Sequence, residues 1–117
     1  MSVTTNPNPL AQRLDRIKTL GGIRGRDVAQ LLETTPETVS RWTAGKVEPQ
    51  RDRLKRLLTL EWLMDELAQF YTPDEARLWL FSPHRLLGGQ TPADKIQRGE
   101  LDEVLAIVAQ LRDGAYA

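Results

Sequence analysis

Apolar residues recur every three or four positions along most of the chain, which is the spacing of amphipathic α-helices. No segment shows the strict alternation of apolar and polar residues that is typical of a β-strand. The pattern therefore predicts an all-α fold with seven helices. We expect these helices at residues 10–20, 26–32, 36–43, 52–70, 73–81, 92–98 and 101–112.

Threonine–proline pairs mark three of the predicted helix starts, at residues 35–36, 72–73 and 91–92. A threonine hydroxyl caps free backbone N–H groups, and proline fits the first helical position because it lacks the N–H that would stay unbonded there. Glu75 lies three residues after Thr72 and completes a capping box. The Asn-Pro-Asn-Pro run at residues 6–9 instead predicts a disordered leader.

The predicted helix at 52–70 is apolar around more than one face. We expect a central helix that is packed on several sides, with its Trp62 in the core. Trp42, Trp79 and Phe81 are expected in the core by the same reasoning. The helix carries more apolar surface than short neighbours in one chain would cover, which predicts a homodimer or a larger oligomer.

The 117 residues have a formal net charge of zero, but the charges are unevenly distributed. Residues 1–60 contain eleven Lys/Arg and six Asp/Glu, whereas residues 61–117 contain five and ten. The basic half favours a polyanionic partner such as DNA, and the acidic half favours a different partner. Simple solvation of helix faces is the alternative. We divide the chain at this point into two lobes, 1–60 and 61–117.

The chain has few residues suited to catalysis. It contains no cysteine and a single histidine, His84, which excludes a thiol nucleophile and argues against a zinc site or a Ser/His/Asp triad. Adjacent carboxylates such as Asp65 and Glu66 diverge around a helix. We expect no enzyme activity, metal or cofactor. There is also no apolar run long enough to span a bilayer and no signal-peptide pattern, so we expect a cytoplasmic protein.

Residues 25–44 have the spacing of a helix-turn-helix unit. Its inner positions are the apolar residues Val28, Ala29, Leu32, Val39 and Trp42. The unit resembles Xre-type regulators, but Glu33 stands where glycine is usual and Thr34 where an apolar residue is usual. The resemblance implies DNA binding through the outward residues of the second helix and the cations after it. A helix pair that merely packs is the alternative.

The candidate DNA-binding residues are Thr35, Glu37, Ser40, Arg41, Lys46 and Arg51. The guanidinium of Arg41 suits a guanine edge or a phosphate, and the carboxylate of Glu37 suits the amino group of cytosine. Lys46 and Arg51 suit backbone phosphates.

The second half carries a more specific pattern. It contains Ala76-Arg77-Leu78-Trp79, a proline and leucine turn at residues 83–87, Thr91-Pro92, Gly99 and the amphipathic helix from Leu101. This order and spacing resemble the toxin-binding domain of the Xre/MbcA/ParS antitoxins, and of their MbcA branch in particular. The resemblance covers about residues 20–117. His84 departs from the asparagine that is usual in the family.

The resemblance implies a type II antitoxin whose partner is a RES-domain toxin that degrades NAD. Family members block the toxin's active-site cleft with their C-terminal segment and often repress their own promoter, so a cognate toxin and promoter DNA are the expected partners. The expected architecture is an N-terminal helix-turn-helix lobe, a long central helix and a small helical toxin-binding lobe.

The toxin-binding residues are expected at the acidic start of the last helix, at its end and in the tail after it. They are Glu100, Asp102, Glu103, Arg112, Gly114, Ala115, Tyr116 and Ala117. Gly114 is expected to turn the chain away from the helix, so that the tail projects as a short probe. A stand-alone helix-turn-helix transcriptional regulator is the alternative function, and an adaptor for some other protein is a further one.

Overall fold

A computed structural model describes residues 8–114 of the chain. Over this range the fold contains α-helices, one 3₁₀ turn and no β-strand, which confirms the predicted all-α class. The helices are α1 (Pro9–Gly21), α2 (Gly25–Leu31), α3 (Pro36–Thr43), α4 (Arg51–Leu67), α5 (Pro73–Leu80), α6 (Pro92–Gln97) and α7 (Leu101–Asp113). The 3₁₀ turn, Arg85–Leu87, lies between α5 and α6 and was not predicted.

Side-chain caps fix the predicted starts of α3, α5 and α6. The hydroxyls of Thr35, Thr72 and Thr91 each accept a hydrogen bond from the backbone N–H three residues later, at 3.1, 3.2 and 3.0 Å. The Glu75 carboxylate accepts in return from the N–H of Thr72 at 2.8 Å, which completes the capping box. Each cap stabilises its helix by about 1 kcal/mol, so these starts are encoded locally.

Two helix boundaries differ from the prediction, the start of α1 and the end of α4. The side chain of Asn8 caps α1 by accepting from Leu10 N at 3.0 Å, and its amide donates to the carbonyls of Trp42 and Thr43 at the end of α3. Residues 8 and 9 therefore belong to the fold, and the remainder of the predicted leader lies outside the described residues. The long helix ends at Leu67 instead of Phe70.

One hydrophobic core runs through both halves of the chain. α1 lies against α4 and α5, and α2 lies against α6. α1 and α4 approach each other closely at Gly21, where a Cβ atom would collide with the sulfur of Met64. The core includes Leu14, Ile17, Val28, Leu32, Trp42, Leu57, Leu63, Met64, Leu67, Ala76, Leu80, Ile96, Val104 and Val108. The basic N-terminal segment is thus packed directly on the acidic C-terminal segment.

α4 has one buried face and one exposed face. Leu57, Leu60, Leu63, Met64 and Leu67 are buried. Leu54, Leu58 and Trp62 lie on the opposite face and are 37%, 39% and 40% exposed. The expectation that α4 is packed on several sides, with Trp62 in the core, is therefore wrong.

The other predicted core aromatics are placed as expected. Trp42 and Trp79 are buried, and Phe81 is half-buried against the edge of the core. Between residues 8 and 114, no helix is long and apolar enough to cross a membrane.

Candidate functional site

The segment predicted as a helix-turn-helix unit forms two short helices, α2 and α3, with a turn at residues 32–35 between them. All five predicted inner residues, Val28, Ala29, Leu32, Val39 and Trp42, are buried. This burial fixes which face of α3 turns away from the core.

The outward face of α3 carries three of the predicted DNA-binding residues. Glu37, Ser40 and Arg41 are exposed and share this face because they are spaced three and four positions apart. Thr35 is exposed at the start of the helix, but its hydroxyl already accepts the capping hydrogen bond from Thr38. The face therefore presents one carboxylate, one hydroxyl and one guanidinium to solvent.

Two further candidate cations follow α3. Lys46 is exposed in the connection to α4, and Arg51 is exposed at the first position of α4. Arg53, two residues later, is held within the chain, where it pairs with Asp52 at 2.7 Å and donates to the carbonyl of Glu33 at 3.3 Å. Lys46 and Arg51 are therefore better placed than Arg53 to reach an external phosphate.

Glu33 occupies the turn position that is usually glycine, and it adopts the backbone conformation that favours glycine there. Its φ angle is 54°, the one positive value at a non-glycine position among residues 8–114. Its carboxylate pairs with Arg56 at 3.0 Å, and Arg56 also donates to the carbonyl of Gln97 at the end of α6. The negative charge near the candidate DNA face is thereby paired with a cation. Sequence reasoning missed this role of Arg56, which lies 23 positions from Glu33.

A second polar link joins α2 to α5. Arg77 pairs with the nearly buried carboxylate of Asp27 at 2.8 Å, and its guanidinium carbon lies 4.9 Å from the centre of the Phe81 ring. Burial acts to raise the pKa of Asp27. Hydrogen bonds from Arg77 and from the backbone N–H of Arg24 outweigh burial and hold this pKa below its usual value. Arg77 of the Ala-Arg-x-Trp motif therefore anchors the two halves to each other.

His84 lies in the loop before the 3₁₀ turn, as expected. Its ring Nε2 lies 3.1 Å from the carbonyl oxygen of Trp79, and the two rings pack with their centres 4.9 Å apart. The carbonyl can only accept, so Nε2 carries the proton. These contacts give His84 a structural role in the loop.

The acidic start of α7 is partly neutralised within the chain. Lys95 of α6 contacts Glu100 at 3.2 Å and Glu103 at 3.1 Å. The hydrogen bonds to Glu103 and Glu100 raise the pKa of Lys95 above its usual value. Asp102 is exposed beside Leu105 in an open groove between α7 and α4. Of the three predicted carboxylates, Asp102 is therefore the one most available to a partner.

The end of α7 is fastened to α4. Both Nε and Nη2 of Arg112 bond to one carboxylate oxygen of Glu66, at 3.0 and 2.6 Å, and the guanidinium lies 5.7 Å from the centre of the Trp62 ring. Gly114 caps α7 with a φ of 68°, the left-handed conformation that was predicted. Residues 115–117, which include Tyr116, lie outside the described residues.

The predicted toxin-binding residues do not form one cluster. The carboxylates lie at the first turn of α7 and Arg112 and Gly114 at its other end, which is about 18 Å away at 1.5 Å per residue. The two groups of predicted toxin-binding residues therefore lie at opposite ends of α7.

Sequence reasoning did not single out two leucines of the second half that the structure leaves exposed. Leu78 on α5 is 68% exposed and Leu86 in the 3₁₀ turn is 63% exposed. The available signal was the helical phase, since Leu78 falls outside the buried stripe formed by Ala76, Trp79 and Leu80.

Comparison with known proteins places these features in a family. The family described as "Antitoxin Xre/MbcA/ParS C-terminal toxin-binding domain" matches residues 67–114. The mycobacterial cidal antitoxin MbcA of Mycobacterium tuberculosis is 39% identical over 95 residues, which span 81% of this chain and 84% of that protein. The chain belongs to the Xre/MbcA/ParS antitoxin family. It is an antitoxin of a toxin–antitoxin system and not an enzyme, as the sequence predicts.

Two further relatives agree with this assignment. A probable mycobacterial cidal antitoxin of M. tuberculosis is 33% identical over 96 residues, or 81% of each chain. The crystal structure of the M. tuberculosis MbcT–MbcA toxin–antitoxin complex contains a chain that is 38% identical to the antitoxin, with a TM-score of 0.80. That match covers 94% of this antitoxin and 99% of the other chain, so the helical arrangement is shared along nearly its whole length.

Proposed function

We propose that the antitoxin binds and neutralises a RES-domain toxin that degrades NAD. The observation that carries the proposal is the likeness, over 94% of the chain, to a chain from the MbcT–MbcA toxin–antitoxin complex. The RES domain and the NAD chemistry of the partner follow from the family resemblance of the second half. We place the complex in the cytoplasm, where its NAD and promoter DNA are found.

Neutralisation is proposed to work by obstruction of the toxin's cleft. Arg112 holds the end of α7 on α4, and the left-handed Gly114 redirects the chain at that point. A tail that leaves a fixed helix end loses less conformational freedom when it binds than one that leaves a mobile end. Tyr116 supplies an aromatic ring and a hydroxyl for the contact.

NAD consumption by purified toxin at increasing antitoxin concentration tests the proposal. The full chain is expected to abolish consumption at a fixed stoichiometry. An antitoxin without residues 114–117 is expected to inhibit poorly, and Tyr116→Ala to inhibit partially. Leu86→Ala is the matched control for the tail, since it alters an exposed apolar side chain elsewhere in the second half. If the truncated chain inhibits as well as the full chain, the contact lies on the helix faces.

We also propose that the first half binds the antitoxin's own promoter. The outward face of α3, with Arg41 exposed and Lys46 and Arg51 following it, supports this proposal. The Arg56–Glu33 pair also supports promoter binding, because it neutralises the acidic charge in the turn beside α3 that would otherwise repel phosphates. A single unit contacts few phosphates, so two units in a dimer or in the toxin complex are required for tight binding.

A mobility-shift titration at several salt concentrations tests promoter binding. Arg41→Ala is expected to weaken it about 10- to 100-fold if Arg41 contacts a base. Arg98→Ala removes an exposed cation of the second half and should leave binding unchanged. Equal affinity for the promoter and for random DNA would contradict sequence-specific regulation.

A further inference from the structure

The turn between α2 and α3 is bonded to α4 through both its backbone and its side chain. Arg53 of α4 donates to the carbonyl of Glu33 at 3.3 Å, and Arg56 donates to the Glu33 carboxylate at 3.0 Å. We call these three residues the turn cluster. They hold the turn against a helix whose buried face belongs to the hydrophobic core. The position of the turn is therefore set by α4 as well as by α2 and α3.

Arg56 is held in place independently of its contact with Glu33. Its side chain is only 13% exposed, and its guanidinium also donates to the carbonyl of Gln97 at 3.1 Å and lies 3.4 Å from a carboxylate oxygen of Asp52. Gly99 passes so close that a Cβ atom there would lie 3.3 Å from Nη2 of Arg56. A planar guanidinium that is already held at several points loses little further freedom when it binds a carboxylate. The second half of the chain thus supports the turn through Arg56.

The turn also contains backbone strain that a glycine would relieve. Glu33 has a φ of 54°, whereas every other positive φ between residues 8 and 114 belongs to a glycine. A side chain in this conformation costs stability, and the ion pair with Arg56 returns little of it, because the Glu33 side chain is 46% exposed. Stability alone therefore does not account for the glutamate. Strained residues are typical of sites where exact geometry matters for function.

The strained turn directly precedes the part of α3 that is proposed to contact DNA. In a helix-turn-helix unit the N-terminal residues of the second helix contact base edges. Glu37 follows the first residue of α3, and Arg41 lies about one turn later. The other end of α3 is fixed separately, because the amide of Asn8 donates to the carbonyls of Trp42 and Thr43. A movement of the turn would therefore tilt the end of α3 that meets the bases.

We infer that Glu33 and Arg56 are positioning residues for DNA recognition by α3. The inference rests on the proposed binding of promoter DNA, and it adds that the turn cluster sets the angle at which α3 presents Arg41 to the base edges. Neither Glu33 nor Arg56 contacts DNA in this role. Contacts with phosphates tolerate a small change of angle, whereas bidentate contacts with base edges do not. Loss of the cluster should therefore reduce sequence discrimination more than total affinity.

Glu33→Gly tests the inference because it removes the carboxylate and the backbone strain together. Urea denaturation should show a stability equal to that of the unchanged chain or higher. The lost negative charge strengthens binding to any DNA, so the measured quantity is the ratio of promoter affinity to random-DNA affinity in mobility-shift titrations. This ratio should fall about tenfold, the loss expected for one misplaced base contact. A purely structural role of Glu33 would not lower the ratio in a chain that is no less stable.

Three further variants complete the test. Arg56→Met removes the other partner and should lower the ratio as well, and the double variant with Glu33→Gly should lose no more than Arg56→Met alone. Glu33→Gln keeps an oxygen to which Arg56 can donate, so it should retain most of the discrimination. Arg16→Met is the matched control, because it removes one cation and an ion pair between α1 and α4, and it should leave the ratio unchanged. Circular dichroism checks that each variant keeps its helices.

Two results would overturn the inference while promoter binding stands. One is a Glu33→Gly chain that discriminates between promoter and random DNA as well as the unchanged chain does. The other is a fall of the same size in Arg16→Met, which would indicate a general effect of charge or packing. If the unchanged chain itself binds both DNAs equally, the proposed promoter function fails and the inference fails with it.

Discussion

Replacing Arg77 by methionine removes the cation that faces Asp27 and keeps most of the aliphatic stem. The Asp27 side chain is only 10% exposed, so its carboxylate would lose its main partner in a site with little water. The link between α2 and α5 would be lost at the same time. We expect the variant to fold, with a lower free energy of unfolding.

The size of the loss follows from the burial of the two partners. Removing one member of a fully buried ion pair costs about 3–5 kcal/mol, whereas an exposed pair contributes about 0–1 kcal/mol. Asp27 is nearly buried but Arg77 is 42% exposed, so the pair lies between these limits. We expect a loss of about 2 kcal/mol at pH 7, which includes the contact of Arg77 with the Phe81 ring.

The pH dependence identifies the cause of the loss. The pKa of Asp27 is lowered in the folded chain, so its stabilising effect is present above the ordinary value of 3.8 and is lost as the pH falls through the folded pKa. In Arg77→Met, burial still raises the pKa of Asp27, but the hydrogen bond from Arg77 that lowers it is gone. Asp27 therefore takes up a proton at a higher pH than in the unchanged chain, and this proton removes the unpaired buried charge that destabilises the variant. The difference in unfolding free energy should therefore shrink as the pH falls through the folded pKa, and the part that remains in acid is the contact of Arg77 with the Phe81 ring.

Urea denaturation followed by circular dichroism measures the loss of unfolding free energy at pH 7 and at pH 3. The double-mutant cycle with Asp27→Asn isolates the pair, and its coupling energy should be smaller in acid. Arg85→Met is the matched control, because Arg85 is an exposed cation of the same half. The reasoning is wrong if Arg77→Met costs no more than Arg85→Met, or if its cost is the same at both pH values.

Three other substitutions test the packing. Gly22→Ala places a Cβ 2.8 Å from the carbonyl oxygen of Pro73 at a φ of 60°, so a loss of about 2 kcal/mol or more is expected in thermal denaturation. Glu33→Ala and Glu33→Gly both lose the Arg56 pair, but only alanine keeps the left-handed strain, so urea denaturation should show Glu33→Ala about 1 kcal/mol less stable than Glu33→Gly. Leu67→Ala should cost about 2–5 kcal/mol in urea denaturation, while Leu86→Ala should cost little, because Leu67 is fully buried and Leu86 is 63% exposed.

The features that could be predicted from sequence are those encoded by nearby residues. The caps at Thr35, Thr72 and Thr91 involve residues three positions apart, and the predicted helix starts follow from them. The left-handed glycines that end α1 and α7, Gly22 and Gly114, are local signals of the same kind.

The features that escaped prediction depend on partners far along the chain. Trp62 lies on a helix with apolar residues on both faces, and the sequence does not say which face the other helices cover. Arg77 lies 50 positions from Asp27, so the role of Arg77 within its motif becomes apparent only when α2 and α5 are packed together. The acidic start of α7 was recognised, but Lys95, which pairs with two of its carboxylates, was not.

The core shared by the two halves has a thermodynamic consequence for ligand binding. If α1 to α7 unfold as one unit, a ligand on any surface stabilises every helix, by about 2.7 kcal/mol when it is present at 100 times its dissociation constant. Amide hydrogens of α2 and α3 that exchange through global unfolding should then exchange about 100-fold more slowly when the toxin occupies the other half. Protection from exchange in α3 would therefore report occupancy and would not by itself locate the contact.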